Sequence, residues 1–151
     1  MGTVTITSKD TLTIFDRVFV DLADTDVSTI TFNDDLVAVK TGKNRNSIYS
    51  SNEMGNNADV VLRIMRGSSD DRFLQGKLNE MQKDLPSFQL ANGSFTKRLG
   101  DGQGNVFLDV STLSGGVFMR KVDSKENTEG DTEQGVAIYN MKFTVVDRNI
   151  Q

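Results

Sequence analysis

A mainly β chain with one α-helix, arranged as two packed antiparallel β-sheets in a sandwich or barrel-like form, is the fold class this sequence predicts. Three observations predict it. Most apolar residues alternate with polar ones at strand spacing, most cleanly over 136–146. There Ala137, Tyr139, Met141, Phe143 and Val145 share one face, while Asn140, Lys142 and Thr144 share the other. A single stretch, about 69–85, repeats its apolar residues at helical spacing instead: Leu74, Leu78, Met81 and Leu85 fall at i, i+4, i+7 and i+11. Clusters of Gly, Asn, Asp and Ser punctuate the remainder, as turns between short strands require.

Taken in order, residues 3–7 alternate Thr with Val4 and Ile6, the pattern of a half-buried strand. Residues 12–20 read as one longer strand, with Leu12, Ile14, Val18 and Val20 on one face and Phe15 and Phe19 on the other. Apolar groups on both faces imply cover on both sides, from this chain or a neighbouring subunit. Three acids over 21–26 mark a turn, and 27–32 with 36–40 then read as a hairpin across Asn33-Asp34-Asp35. Residues 41–57 form a long, extended polar loop whose apolar residues are Ile48, Tyr49 and Met54. A loop of that length inside a compact domain is normally a binding element or a loose surface segment.

The strand-like run 60–66 turns at Gly67 into the helix. Ser68 or Ser69 can cap its free amides, Ser68 with Asp71 has capping-box spacing, and Asp70 and Asp71 suit the positive end of the helix dipole. Pro86, lacking an amide hydrogen, stops it. This face of Leu74, Leu78, Met81 and Leu85 is the expected docking core. Beyond it, Asn92-Gly93 predicts a type I′ hairpin inside 87–95, and 97–104 a further turn. Residues 106–113 and 116–122 read as a hairpin across Ser114-Gly115, followed by an acidic loop over 123–134. No boundary divides the chain, so 1–151 reads as one domain.

Composition narrows the function. The net charge of −4 argues against affinity for nucleic-acid phosphates or an anionic membrane. A chain with no Cys and no His has no thiolate or imidazole for a nucleophile, a general base or a zinc site. The N-terminal residues lack the basic start and apolar core of a signal peptide, and no apolar run approaches the ~20 residues that span a bilayer. The expectation is a protein without membrane association, made in a cytoplasm.

Two motifs invite chemistry and fail on detail. Gly100-Asp101-Gly102-Gln103-Gly104 has the look of a phosphate loop, but no Lys-Ser/Thr and no helix follow it. In a calcium-loop frame, Val106 occupies the position that needs glycine and Thr112 the one that needs a bidentate carboxylate. The acids Asp123, Glu126, Glu129, Asp131 and Glu133 could supply a carboxylate pair, yet the aromatic platforms of a carboxylate hydrolase are missing from a chain with no Trp and two Tyr. A solvated loop, or one facing basic partner residues, describes them better. No catalytic residue, metal or cofactor is expected. A monomeric β-sandwich binding module using 41–57 or the acidic loop is the alternative from another class.

The order of these elements resembles the tail tube proteins of contractile-tailed bacteriophages, from about Asp16 to Val146. The resemblance is strongest over 62–78, 88–102 and 113–139, including Leu113-Ser114-Gly115-Gly116-Val117-Phe118 and Glu129-Gly130-Asp131-Thr132-Glu133-Gln134. It implies a virion structural protein and not an enzyme. Six copies would form a ring, their sheets joining into one barrel, and rings would stack into a tube that holds the tape measure protein and conducts DNA without binding it specifically. Sheath, baseplate and tail-terminator proteins are the implied partners. By position, 41–57 is the loop that reaches an adjacent ring, with Ile48, Tyr49 and Met54 as contacts. Asn140, Lys142 and Thr144 are one candidate for the lumen face. A related tube protein or baseplate adaptor of a contractile injection system is the neighbouring alternative.

Overall fold

The computed structural model describes residues 2–22, 27–52, 57–126, 128, 130 and 132–151. Among these the class is the expected one: mainly β, a single α-helix and two antiparallel sheets. The strands are β1 (Thr5–Ile14), β2 (Arg17–Phe19), β3 (Ser28–Phe32), β4 (Val37–Thr41), β5 (Ser47–Ser51), β6 (Ala58–Met65), β7 (Ala91–Gly100), β8 (Val106–Phe118) and β9 (Val136–Ile150). Seven of them form one sheet in the order β2-β1-β7-β8-β9-β6-β3, and β4 with β5 makes the other. The helix α1 (Ser69–Lys83) crosses one face of the large sheet.

The core lies between that face and α1. Along β6 every second residue is buried, and Ala58, Val60, Leu62 and Ile64 point inward. On β9, Ala137, Tyr139, Met141 and Phe143 do the same, as the period-2 pattern predicts. Leu74 and Leu78 of the helix are buried against them, at about 1.5–3 kcal/mol for each leucine. Met81 packs at the margin. Ser68 caps the helix, its Oγ accepting from the Asp71 amide at 3.2 Å, and Asp71 Oδ2 accepts from the Gly67 amide at 2.8 Å.

Leu85 corrects the expected docking face. The helix ends at Lys83, and Asp84 has extended dihedrals, φ −159° and ψ 97°. The chain then enters a short 3₁₀ turn, Leu85–Ser87, which carries Leu85 off the apolar stripe and leaves it 55% exposed. The break therefore falls at Asp84, and Pro86 sits in the first turn of the 3₁₀ segment, where its missing amide hydrogen leaves no bond unmade.

Several strand expectations also change. Residues 12–20 are not one strand: Phe15 and Asp16 adopt φ of 55° and 60°, a primed turn joining β1 to β2. The turn leaves Phe19 buried but Val18 and Val20 exposed. Asn92-Gly93 is no hairpin tip. It lies inside β7 at a register shift, where the Asn92 carbonyl accepts from the Phe15 amide at 3.0 Å. Gly93 is there for closeness, since a Cβ would stand 2.1 Å from the Thr13 carbonyl oxygen.

Likewise Ser114-Gly115 is the middle of β8, not its end. Gly115 takes φ 67° within a strand that continues on both sides, and the Phe143 ring lies over Gly116, where a Cβ would meet it at 2.3 Å. The buried positions change phase here on both strands at once. Leu113 faces Val146, but Gly116 faces Phe143 and Phe118 faces Met141. Val145, expected on the buried face of the last strand, is therefore exposed and Val146 takes its place.

The predicted 27–40 hairpin is replaced by two separate pairings. β3 lies along β6, with Ile30 opposite Val60, and β4 pairs with β5. The polar stretch 41–57 thus contains a strand, β5, in which Ile48 and Tyr49 sit opposite Lys40 and Val39.

Candidate assembly surfaces

The β4–β5 hairpin is an arm. Every residue of both strands is exposed. Its tip closes through the Gly42 amide on the Asn46 carbonyl (2.7 Å) and the Arg45 amide on Gly42 (3.1 Å), with Arg45 at φ 63°. Its base closes through the Asn52 amide on the Leu36 carbonyl at 2.7 Å. Strand alternation puts Val37, Val39 and Tyr49 on one face and Ile48 with Lys40 on the other. Ile48 is 68% and Tyr49 72% exposed. Two-stranded hairpins are marginal alone in water, so such an arm gains most from resting on something. Met54, the third expected contact, lies outside the described residues. The sequence pattern puts Val37 and Val39 in a hairpin with 27–32, and the structure pairs them with Ser51 and Tyr49 of β5 instead.

The large sheet offers two further surfaces, its edges. β3 is outermost at one end, and β2 covers only Leu12–Ile14 of β1 at the other. β2 is held firmly. Asp70, the one charged side chain that is fully buried among the described residues, accepts from the Val20 and Asp21 amides, each at 2.8 Å, and from Arg17 Nε at 2.9 Å. Burial raises its pKa, but the two amides and Arg17 more than offset this and hold it below the ordinary carboxylate value. Arg17 also lies over the Phe73 ring at 5.0 Å, and Phe73 packs edge-on to Phe15 and Phe19.

The described acids of the acidic loop are engaged. Glu126 pairs with Arg66 at 2.7 Å and Glu133 with Arg63 at 3.0 Å. Asp123 accepts from the Asn140 side chain at 2.9 Å. Arg66 keeps the Glu126 carboxyl below its ordinary range, the opposite of the raised value a general acid needs. Glu129 and Asp131 lie outside the described residues. The 101–105 turn is closed by Asp101, which accepts from the Asn105 side chain (2.7 Å) and the Gln103 amide (2.7 Å) and is held below its usual pKa by those bonds. Its carboxylate is spent on the turn. Among the described residues no group of three or more acids is placed to hold a metal ion. Asn140 and Lys142 are half-buried and Thr144 exposed, all on the sheet face away from the core.

A groove of about 460 Å³ runs between α1 and the 122–124 segment, lined by Arg66, Asp71, Arg72, Gln75, Gly76 and Val122 among others. Its one carboxylate is engaged, since Asp71 accepts from the Tyr139 phenol at 2.5 Å and from Gly67. Burial, and then Asp71, pushes the phenol well above its ordinary pKa, so Tyr139 stays a neutral donor.

No family model and no curated protein matches this sequence. Solved structures do share its fold. The tube-terminating cap of the anti-feeding prophage matches with a TM-score of 0.63 and 10% identity, over 97% of this chain and 92% of that one. The sheath/tube terminator of the PVC extracellular contractile injection system, in its extended state, matches with a TM-score of 0.53 and 12% identity, over 95% and 94%. The chain has the fold of tube-terminating proteins of contractile injection systems.

Proposed function

We propose that the chain is a structural subunit of a contractile tail or injection particle, forming a ring that sits on the end of the tube. The observation that carries this reading is the near end-to-end match of fold to two tube-terminating proteins. The surfaces fit such a role: an exposed arm with apolar residues on both faces, and open sheet edges that a neighbour would cover. The work is assembly without turnover. Tube and sheath subunits are the partners, and the polar outer face with Asn140, Lys142 and Thr144 lines a path for DNA or cargo that is not gripped.

The second reading is the tube subunit itself, with six copies per ring and rings stacked through Ile48, Tyr49 and the rest of the arm. The arm favours it, because an apolar projection of this kind suits ring-on-ring contact. Negative-stain electron microscopy over a concentration series separates the two. Single rings that do not elongate support the terminator, and long hollow tubes support the tube subunit. A protein that remains monomeric at every concentration, and on mixing with tube ends, overturns both and leaves the binding module.

A further inference from the structure

We propose that the groove between α1 and the 122–124 segment is a docking site for an extended, acidic segment of a partner protein, whose carboxylates are held by Arg66 and Arg72. This surface is separate from the arm, and it serves equally a chain that ends a tube and one that builds it.

The first argument is Gly76. Arg72, Gln75, Gly76 and Asn79 fall at i, i+3, i+4 and i+7, so they share one face of α1, and all four line the groove. Glycine is among the poorest residues for a helix interior, because it has the most backbone freedom to lose. Gly93 and Gly116 are explained by neighbours that a Cβ would strike. At Gly76 a Cβ would meet nothing within 4 Å. Packing within this chain gives no use for a notch there, whereas an occupant of the groove does.

The second argument is charge. Arg66 holds the Glu126 carboxylate at 2.7 Å, an exposed pair that a competing carboxylate can replace at little cost. Arg72 donates to the Gly67 carbonyl at 3.3 Å and makes no ion pair among the described residues. Asp71, the carboxylate of the groove, already accepts from the Tyr139 phenol and the Gly67 amide. The groove therefore offers two guanidinium groups, whose paired donors match a carboxylate. A second copy is the poorer occupant, since the described acids of its 123–134 loop are bonded to Arg66, Arg63 and Asn140.

The third argument is the backbone of the facing wall. Asp123 and Ile138 exchange both of their main-chain bonds, each at 3.0 Å. In an antiparallel pair the residues on either side of such a position turn their amides and carbonyls the other way. Val122 and Ser124 therefore point these groups away from Ile138, and both residues line the groove. The other wall carries the Gln75 and Asn79 side-chain amides, bonded to each other at 3.1 Å with donors and acceptors to spare. Main-chain groups on one side and primary amides on the other are what an extended peptide backbone engages.

The probe is a displayed library of random short peptides, panned on the wild-type chain. Enrichment of peptides rich in Asp and Glu is expected. Their affinity, read by fluorescence polarisation, should fall at least about tenfold in Arg72→Glu and be lost in Gly76→Leu. Gly76→Ala should melt at or above the wild-type temperature, because its Cβ meets nothing, and yet bind more weakly. Glu126→Gln frees Arg66 and should bind about two- to fivefold more tightly. No enrichment, enrichment of peptides without acids, or affinity that both Gly76 variants leave unchanged overturns the proposal. Rings that form from wild type but not from an equally stable Gly76 variant make a second copy the occupant, and overturn it too. Acidic-peptide binding by a chain that forms no rings keeps this site while the ring reading fails.

Discussion

Arg17 Nε donates to Asp70 Oδ1 across 2.9 Å, tying the short strand β2 to the first turn of α1. The same carboxylate accepts two backbone amides from 20–21, so one buried anion satisfies three donors from a single edge segment. Removing it strands those donors. Asp70→Ala is expected to cost about 3–5 kcal/mol, as for a buried ion pair broken on one side. Chemical denaturation of wild type and variant measures this, and a loss under about 1 kcal/mol would mean water replaces the carboxylate at no great penalty.

The same group predicts a pH dependence. Its folded pKa lies below the ordinary value of 3.8, so the stabilisation is fully present above that value and disappears as pH falls through the folded pKa. Urea midpoints should stay level from pH 7 to about 5 with respect to this group and fall below about pH 4. Asp70→Asn should start less stable at neutral pH and lose less on acidification. Parallel curves for the two proteins would remove Asp70 from the acid transition.

Leu78 and Leu85 make a matched pair on either side of the helix end. Leu78→Asp places an unpaired charge in the core and should cost several kcal/mol, above about 3. Leu85→Asp, at an exposed site beyond Asp84, should change stability by no more than about 0.5 kcal/mol. Thermal melts compare them directly. Equal losses would mean that Leu85 is covered in solution.

Replacing residues 37–51 by a short Gly-Ser link should remove the arm and spare the body, because Leu36 and Asn52 are already hydrogen-bonded neighbours. The expected product melts within a few degrees of wild type and no longer stacks or joins a tube. Normal assembly by microscopy would show that the arm is not the docking element.

Gly93→Ala tests the close passage of β7 over β1. A methyl group there collides with the Thr13 carbonyl oxygen, and the backbone has to move. A loss of about 1–3 kcal/mol is expected from such overpacking, read from the denaturation midpoint. An unchanged midpoint would mean the two strands separate at that point without cost.

How much of this was legible in the sequence depended on whether the signal was local. The helix cap at Ser68, the buried face Leu74–Leu78 and the alternation of β6 and β9 follow from spacing alone, and the structure has them. The β1–β2 turn was hidden because its central residues are Phe15 and Asp16, not the Asn-Gly that usually marks a primed turn. That signal did occur at Asn92-Gly93, where a tight approach between strands, not a turn, uses the glycine. Strand pairing was the weakest inference. Residues 27–32 and 36–40 look like hairpin partners in sequence, but β3 finds β6 across a long separation, and β4 takes the polar segment after it. Of the candidate contacts, Ile48 and Tyr49 were visible as apolar residues in a polar stretch. The arm that presents them was not.

The shared change of phase in β8 and β9 constrains how this chain can vary. Leu113 to Gly116 and Phe143 to Val146 each step three residues between inward positions, and they do so side by side. One strand lengthened by a residue would bury its polar side against a partner that still buries its apolar one. β7 already takes up a one-residue register shift opposite this point and β9 takes up none, so an insertion or deletion near Gly115 keeps the β8–β9 pairing only when matched by its counterpart near Thr144. Lineages of this fold should gain or lose residues at the two places together, with the kink as the key that keeps the strands aligned.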